Sequence, residues 1–372
     1  MAEVWRAKRL AEPSVGMWVA LKRILPELRS ERSVLEMFLS EARLALVLRH
    51  PNIVHTFEVG EVHGQPYIAM ELLDGMSLHA LLRACKQPVP VGFSAYVVHE
   101  ICRALAFAHA LTDEAGTLLR IVHRDIDPSN VVLRRDGSVK LIDFGVAKAL
   151  GLNLLDGTRR GLVKGKIGYM APEVIRGSPY DHRADLFVVG VVLHELLAGR
   201  RLFKGSNEYA TVKLNSASRV MPPSTVNPDV PAPLDEITMN AVSRDPRTRY
   251  ASAEELANDL AQFLETHAWT SHETAELVTS CLERKRLELE RAIRDSRGGP
   301  PLTAANRHKR ATESRSAAHT PDDMATVRGN SLELAATVSG APTPVPASVA
   351  TGSHLATAVF GGVARRDPAR SE

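Results

Sequence analysis

The sequence predicts an α+β chain of two lobes, a small β-rich one followed by a larger helical one. Strand-like segments crowd the first 73 residues, helical periodicity dominates from residue 76 onward apart from one hairpin, and strands and helices do not alternate as they would in a βαβ fold. This order divides the chain into a first lobe (1–73), a second lobe (74–268), a helical extension (269–296) and a tail (297–372).

Residues 3–10 and 17–25 read as two strands joined by a turn around Pro13 and Gly16. "ERSVLEMFLSEARLALVLRH" follows with Leu35, Phe38, Leu39, Ala42 and Leu46 at helical spacing, stopped by Pro51. "NIVHTFEVGE" and "QPYIAMELL" predict a strand pair around His63-Gly64. Helices are expected at "MSLHALLRA" and "FSAYVVHEICRALAFAHAL". "NVVLRRDGSVKLIDFG" reads as a hairpin turning at Asp136-Gly137. From 171 to about 266 the pattern is mostly helical, and "DLFVVGVVLHELLAG" ends in a glycine suited to a helix C-terminus. Residues 273–296 read as an exposed helix with Leu277, Cys281, Leu282, Leu289 and Ile293 on one face, packing on the second lobe in preference to a partner. The tail holds a single aromatic, Phe360, among many Ala, Thr, Ser, Pro and Gly, so disorder is expected there.

Composition narrows the function classes. An apolar fraction of 44% and a charged fraction of 24% are ordinary for a soluble globular chain of 372 residues. Cys85, Cys102 and Cys281 lie far apart, which speaks against a disulfide framework or zinc site and for a reducing cytoplasm. A net charge of +3 is too small to imply a nucleic-acid partner. No bilayer-spanning apolar run and no signal peptide are apparent, so a cytoplasmic location is expected.

Six fragments carry the chemistry: "VALK" (19–22), "HRDIDPSN" (123–130), "LIDFG" (141–145), "GYMAPE" (168–173), "DLFVVG" (185–190) and "DPRTRY" (245–250). In this order the sequence resembles a bacterial Hanks-type serine/threonine protein kinase over residues 2 to about 266. The resemblance implies a two-lobed protein kinase fold that binds ATP between its lobes with Mg²⁺ on the phosphates. It implies that Lys22 grips the α- and β-phosphates and that Glu41 pairs with Lys22. Asp143 and Asn130 would hold magnesium, and Asp125 would take the proton of the substrate hydroxyl. Val4, Ala20 and Val132 would sandwich the adenine. Met70 would stand just before the hinge, whose backbone at Glu71 to Leu73 would read the base. Arg124 would bind a phosphate on the activation segment, with Thr158 beside Arg159 and Arg160 as the expected phosphosite. Glu173 with Arg249, and Asp185 under the catalytic loop, would be structural supports.

Three departures stand out. The family's Gly-rich loop precedes a valine that here is Val4, so Ala2 stands where the third glycine would and the first two would precede Met1. The expectation is a natural start upstream. The chain as written would bind ATP weakly and expose the edge of its first sheet. Second, Asp127 occupies the place of the family's catalytic-loop lysine. Third, Gly165-Lys166 stands where the serine/threonine branch has Gly-Thr. Those two positions touch in the family, so the coupled changes suggest a swap: Lys166 brings its ammonium to the γ-phosphate while Asp127 anchors it. Such a pair at about 4 Å is worth about 4 kcal/mol at an effective dielectric of 20, before desolvation. Loss of that threonine also weakens the serine/threonine assignment. The leading expectation is a protein kinase acting on protein substrates; the alternative is a pseudokinase scaffold with negligible turnover.

Overall fold

The structure, a computed structural model, describes residues 2–9, 16–85, 88–145, 166–217 and 220–297, the last four without their side chains. Pro13, Thr158 and the segment 298–372 lie outside the described residues.

Four antiparallel strands form the first sheet: β1 (Ala2–Lys8), β2 (Trp18–Ile24), β3 (Thr56–Val62) and β4 (Gln65–Glu71), in the order β1-β2-β4-β3. Alternation along β2 puts Ala20, Lys22 and Ile24 on one buried face, and the register sets Lys22 between Val4 of β1 and Ile68 of β4. The β3–β4 turn places both His63 and Gly64 at positive φ, the twist a two-residue hairpin favours. β1 is the outer strand, and its exposed face carries Trp5, 50% accessible, with the Arg23 guanidinium 5.2 Å from the ring.

Helix α1 (Arg32–Val47) seats Val34, Met37, Phe38 and Ala42 against Ile24 and Ile68. The face is rotated from the one the spacing predicts: Leu46 is exposed. The reason lies just beyond the helix, where Leu48 and Ile53 are buried in the core of the second lobe. The chain from Asn52 to Val54, expected to start a strand of the first sheet, crosses over instead. Val54 donates to the Leu141 carbonyl (3.0 Å), Leu141 donates back to the Asn52 carbonyl (2.8 Å), and the Asn52 amide donates to Glu100 (2.6 Å).

The second lobe opens with β5 (Gly75–Ser77), which pairs with β6 (Val131–Arg134), itself paired with β7 (Val139–Leu141). Ser77 caps α2 (Leu78–Ala84) by accepting from the Ala80 amide. The rest is helical: α3 (Val91–His109), α4 (Pro172–Ile175), α5 (Arg183–Ala198), α6 (Glu208–Ala217), α7 (Ala232–Ala241), α8 (Ala253–Thr266) and α9 (Ser271–Arg297). Buried nearly throughout, α5 is the axis of the lobe, and Gly199 ends it at φ 66°. Contrary to the sequence expectation, α3 is long and apolar enough to cross a bilayer by length and composition. Its apolar residues, Val97, Ile101 and Leu105 among them, form the lobe's core, with α5 and α8 packed on it.

α9 packs in cis over its first half only. Thr274, Val278 and Cys281 are fully buried, and Leu277 and Leu282 pack on the same core against α2, β5 and β6. The predicted stripe ends there, because Leu289 and Ile293 are 57% and 44% exposed. The β6–β7 turn receives the start of the helix: a Cβ on Gly137 (φ 80°) would lie 1.7 Å from the Ser271 carbonyl oxygen.

Two buried charge centres brace the lobe. Arg249 donates to both Glu173 oxygens (2.7 and 2.8 Å) with neither side chain more than 6% exposed. Asp185, at the start of α5, accepts from the backbone amides of His123 (2.8 Å) and Arg124 (3.0 Å) and from His109 Nε2 (2.9 Å). Burial works to raise the Asp185 carboxyl, but the hydrogen bond and charge of His109, with His123 behind them, hold it below the ordinary carboxylate range.

Arg249→Met is expected to destabilise the chain by about 3–5 kcal/mol in urea unfolding, because Glu173 is left buried without its partner. Adding Glu173→Leu should recover most of that; a single-variant cost under about 1 kcal/mol would contradict the buried pair. The depressed Asp185 carboxyl contributes stability that is present above the unfolded value near about pH 4 and is lost as pH falls through the folded value. The Tm gap between wild type and Asp185→Asn should therefore narrow from about pH 7 to about pH 3, and a constant gap would contradict this anchor.

Candidate active site

Between the two sheets, Lys22 Nζ lies 2.5 Å from Glu41 Oε1 of α1 and 2.6 Å from Asp143 Oδ1, just after β7. Burial alone would lower the Lys22 ammonium, but the two carboxylates push it above the ordinary lysine value. Burial, with the Asp143 charge nearby, raises the Glu41 carboxyl despite the pull of Lys22. Asp143 reaches this position on a left-handed backbone (φ 54°). The next turn is held by Gly145, whose amide donates to the His123 carbonyl (2.7 Å). A Cβ there would sit 2.9 Å from both that oxygen and the Asp125 Cβ, which explains the glycine. Phe144 is buried against the His123 ring, 4.3 Å between centroids.

The loop carrying Asp125 is fixed from below by Asp185. His123 is fully buried, and burial holds its imidazole below the ordinary value. Asn130 donates its amide nitrogen to the Asp125 backbone oxygen (2.7 Å) and to Oδ2 (3.1 Å). That leaves the Asn130 amide oxygen, like the Asp143 carboxylate, as a donor atom suited to a hard cation. Among the described residues no cluster of three or more His, Cys, Asp or Glu forms a closed metal site. The donor set fits Mg²⁺, which takes one or two protein ligands and completes its shell with phosphate and water. Arg124 stands at φ 66°, its guanidinium 5.6 Å from the Tyr180 ring; Thr158, its expected partner, lies outside the described residues.

Asp127 and Lys166 meet. Lys166 Nζ is 2.9 Å from Asp127 Oδ2 and 2.9 Å from Asp125 Oδ2. Asp127 is 3% exposed, and its other oxygen accepts from the Ser129 amide (2.6 Å). Burial would lower the Lys166 ammonium, yet the Asp125 and Asp127 charges raise it.

Toward the outer cleft, Leu73, Val132 and Ile142 form one apolar cluster with Val54 beside it, and Ala20 is buried on β2. Val4 is 41% exposed on β1. Met70 lines a small cavity with Glu41, Asp143 and Phe144. The Glu71 side chain turns back and accepts from Lys140 Nζ (2.6 Å) and the His55 amide (2.8 Å), leaving any reading of a base to the backbone. Sequence reasoning missed Lys140, Ile142 and His109. The signal for Lys140 was available: a lysine inside the apolar strand "VKL" needs a buried partner.

With this geometry in place, comparison with known proteins gives a consistent result. A family profile for the protein kinase domain matches residues 3–293. The chain is 43% identical to tyrosine-protein kinase MasK of Myxococcus xanthus, over 72% of this chain and 42% of that protein. It is 35% identical to serine/threonine-protein kinase Pkn1 of Myxococcus xanthus, over 69% of this chain and 36% of that one. With serine/threonine-protein kinase PknB of Mycolicibacterium smegmatis it shares 32% identity, over 67% and 39%. The chain thus spans about two fifths of the length of these relatives. The solved kinase domain of Mycobacterium tuberculosis PknI superposes with a TM-score of 0.53 at 27% identity, covering 70% of this chain and 90% of that domain. The α+β architecture, the ordered motifs and these likenesses together make the chain a member of the protein kinase family, in its bacterial Hanks-type branch.

Proposed function

We propose that the chain transfers the γ-phosphate of ATP to serine and threonine hydroxyls of protein substrates. The observation that carries this is the Lys22–Glu41–Asp143 contact facing the Asp125–Asn130 loop: a paired cation, two hard-cation ligands and a carboxylate base converge on one cleft. Protein kinases as a family use ATP and Mg²⁺ and act on protein substrates, and the residues present suit both. Magnesium, when bound by Asp143 and Asn130, supplies positive charge to the phosphates.

In this reading Lys22 orients the α- and β-phosphates while Glu41 fixes its direction. Ala20, Val132 and Val4 bracket the adenine, Met70 closes the inner end, and the backbone from Glu71 to Leu73 reads the base edge. Asp125 takes the proton of the acceptor hydroxyl as its oxygen bonds to the γ-phosphorus and the bond to the β-phosphate oxygen breaks, releasing ADP. Asp185, Glu173 and Arg249 hold the loop and the segment beside it. Arg124 receives a phosphate on the activation segment, and Thr158 is the residue we assign to carry it. We keep the lobe division at 73/74, the extension 269–296 and the tail 297–372, and a cytoplasmic site of action. Tyrosine is a second acceptor to test, because the relative with 43% identity bears a tyrosine kinase name and Lys166 stands where the serine/threonine branch has threonine.

Full-length chain incubated with radiolabelled ATP, Mg²⁺ and a generic basic protein is expected to label that protein. Asp125→Asn should lower the rate by about 10²–10⁴-fold, the usual worth of a positioned base. Phosphoamino-acid analysis should return phosphoserine and phosphothreonine; phosphotyrosine alone would replace the acceptor assignment. Equal incorporation by wild type and Asp125→Asn would refute the enzymatic reading.

A further inference from the structure

We propose that Lys166 is the cation that faces the transferring phosphate, and that Asp127 is the buried anchor that holds it there. The inference rests on the kinase reading and goes beyond it, because it moves a catalytic charge off the catalytic loop. An ammonium has three N–H donors. Lys166 donates one hydrogen bond to Asp125 Oδ2 (2.9 Å) and forms an ion pair with Asp127 Oδ2 (2.9 Å), which leaves N–H capacity for a phosphate oxygen.

Burial shows which partner anchors and which acts. The Asp127 side chain is 4% exposed and that of Lys166 33%, so the carboxylate lies beneath and the ammonium caps it at the cleft. Asp127 is held on both sides: Oδ1 accepts from Ser129 and its carbonyl accepts from the Asn130 amide (2.9 Å). A buried carboxylate in that place requires a cation, and Lys166 supplies it. Asp125 Oδ2, the atom Lys166 shares, is also 3.1 Å from the Asn130 amide, so the ammonium stands beside the proposed base and metal ligand. Lys22 is already committed to Glu41 and Asp143.

The backbone of Lys166 is firmly seated. It opens the 3₁₀ turn Ile167–Tyr169, accepting from the Tyr169 amide (2.9 Å). The Asn215 side chain of α6 donates to the Met170 carbonyl (2.8 Å) at the end of that turn. A Cβ on Gly168 would lie 2.5 Å from the Phe203 carbonyl, so the turn is pressed onto the lobe. The chain therefore carries its positive charge in from the far side of the same contact, with an acid at position 127 to receive it.

Two measurements on the full chain test this. In the first, an acyl-phosphate derivative of ATP is added with Mg²⁺; a lysine amine beside the phosphates attacks the acyl carbonyl and ATP departs. Peptides containing Lys22 and Lys166 should both be acylated, and excess ATP should block both. Asp127→Asn should lose the Lys166 label while keeping that on Lys22, which general destabilisation would not do. Labelling of Lys22 alone in wild type would overturn the inference and leave the kinase reading standing; labelling of neither would overturn both. In the second, Lys166→Thr should lower kcat by about 10²–10³-fold, as loss of one transition-state donor does, with KM for ATP changed by less than about threefold. Asp127→Lys combined with Lys166→Thr restores the family arrangement and should return kcat to within about tenfold of wild type. A Lys166→Thr enzyme within about threefold of wild-type kcat would overturn the assignment.

Discussion

The ammonium of Lys22, buried between Glu41 and Asp143, is the interaction on which the rest depends. Its three members come from β2, from α1 and from the stretch after β7, so forming it fixes the distance and rotation of the first lobe against the second. Removing Lys22 would leave the Glu41 and Asp143 carboxylates facing each other without a cation in a medium that solvates charge poorly. The register of β2, the seat of Phe38 and Ala42 under α1, and the left-handed backbone of Asp143 all serve that placement. Asn52 to Val54 reinforce it by lacing the segment after α1 to β7.

A second charge centre faces the first. Asp185 collects the His123 and Arg124 amides and His109, which sets the height of the Asp125 loop above α5. Asp125, Asp127 and Lys166 then form a cluster whose carboxylates outnumber its cation. Phosphoryl transfer demands mainly positioning and electrostatics, and the Lys22 contact and this cluster each hold charges of both signs in fixed places. The buried Glu173–Arg249 pair ties α4 to the segment before α8.

Much of this was legible residue by residue. Lys22, Asp125, Asn130 and Asp143 sit in short motifs whose spacing is set by the loops that carry them, and those loops are local. The DG turn, the Ser77 cap and the Gly199 stop are likewise local chemistry, readable without a fold. Where the reading slipped, tertiary packing had overridden periodicity. Leu46 fits the helical stripe of α1 yet is exposed, because the following residues turn into the other lobe. α3 is apolar enough for a membrane because it fills the centre of a large lobe. Leu289 and Ile293 continue the stripe of α9 past the point where the lobe beneath it ends.

The sequence by itself determined the family, the two-lobe order and which motifs line the candidate site, since each depends on residue type at short separation. It also showed that Asp127 and Lys166 depart from the family together. Only the tertiary structure decided that their side chains meet, that Asp127 is buried beneath Lys166, and that Lys140 neutralises Glu71 behind the hinge. Those pairs join residues 39 and 69 positions apart. Contact at such separation is settled by how strands and helices pack and by the demand that every buried charge find its opposite.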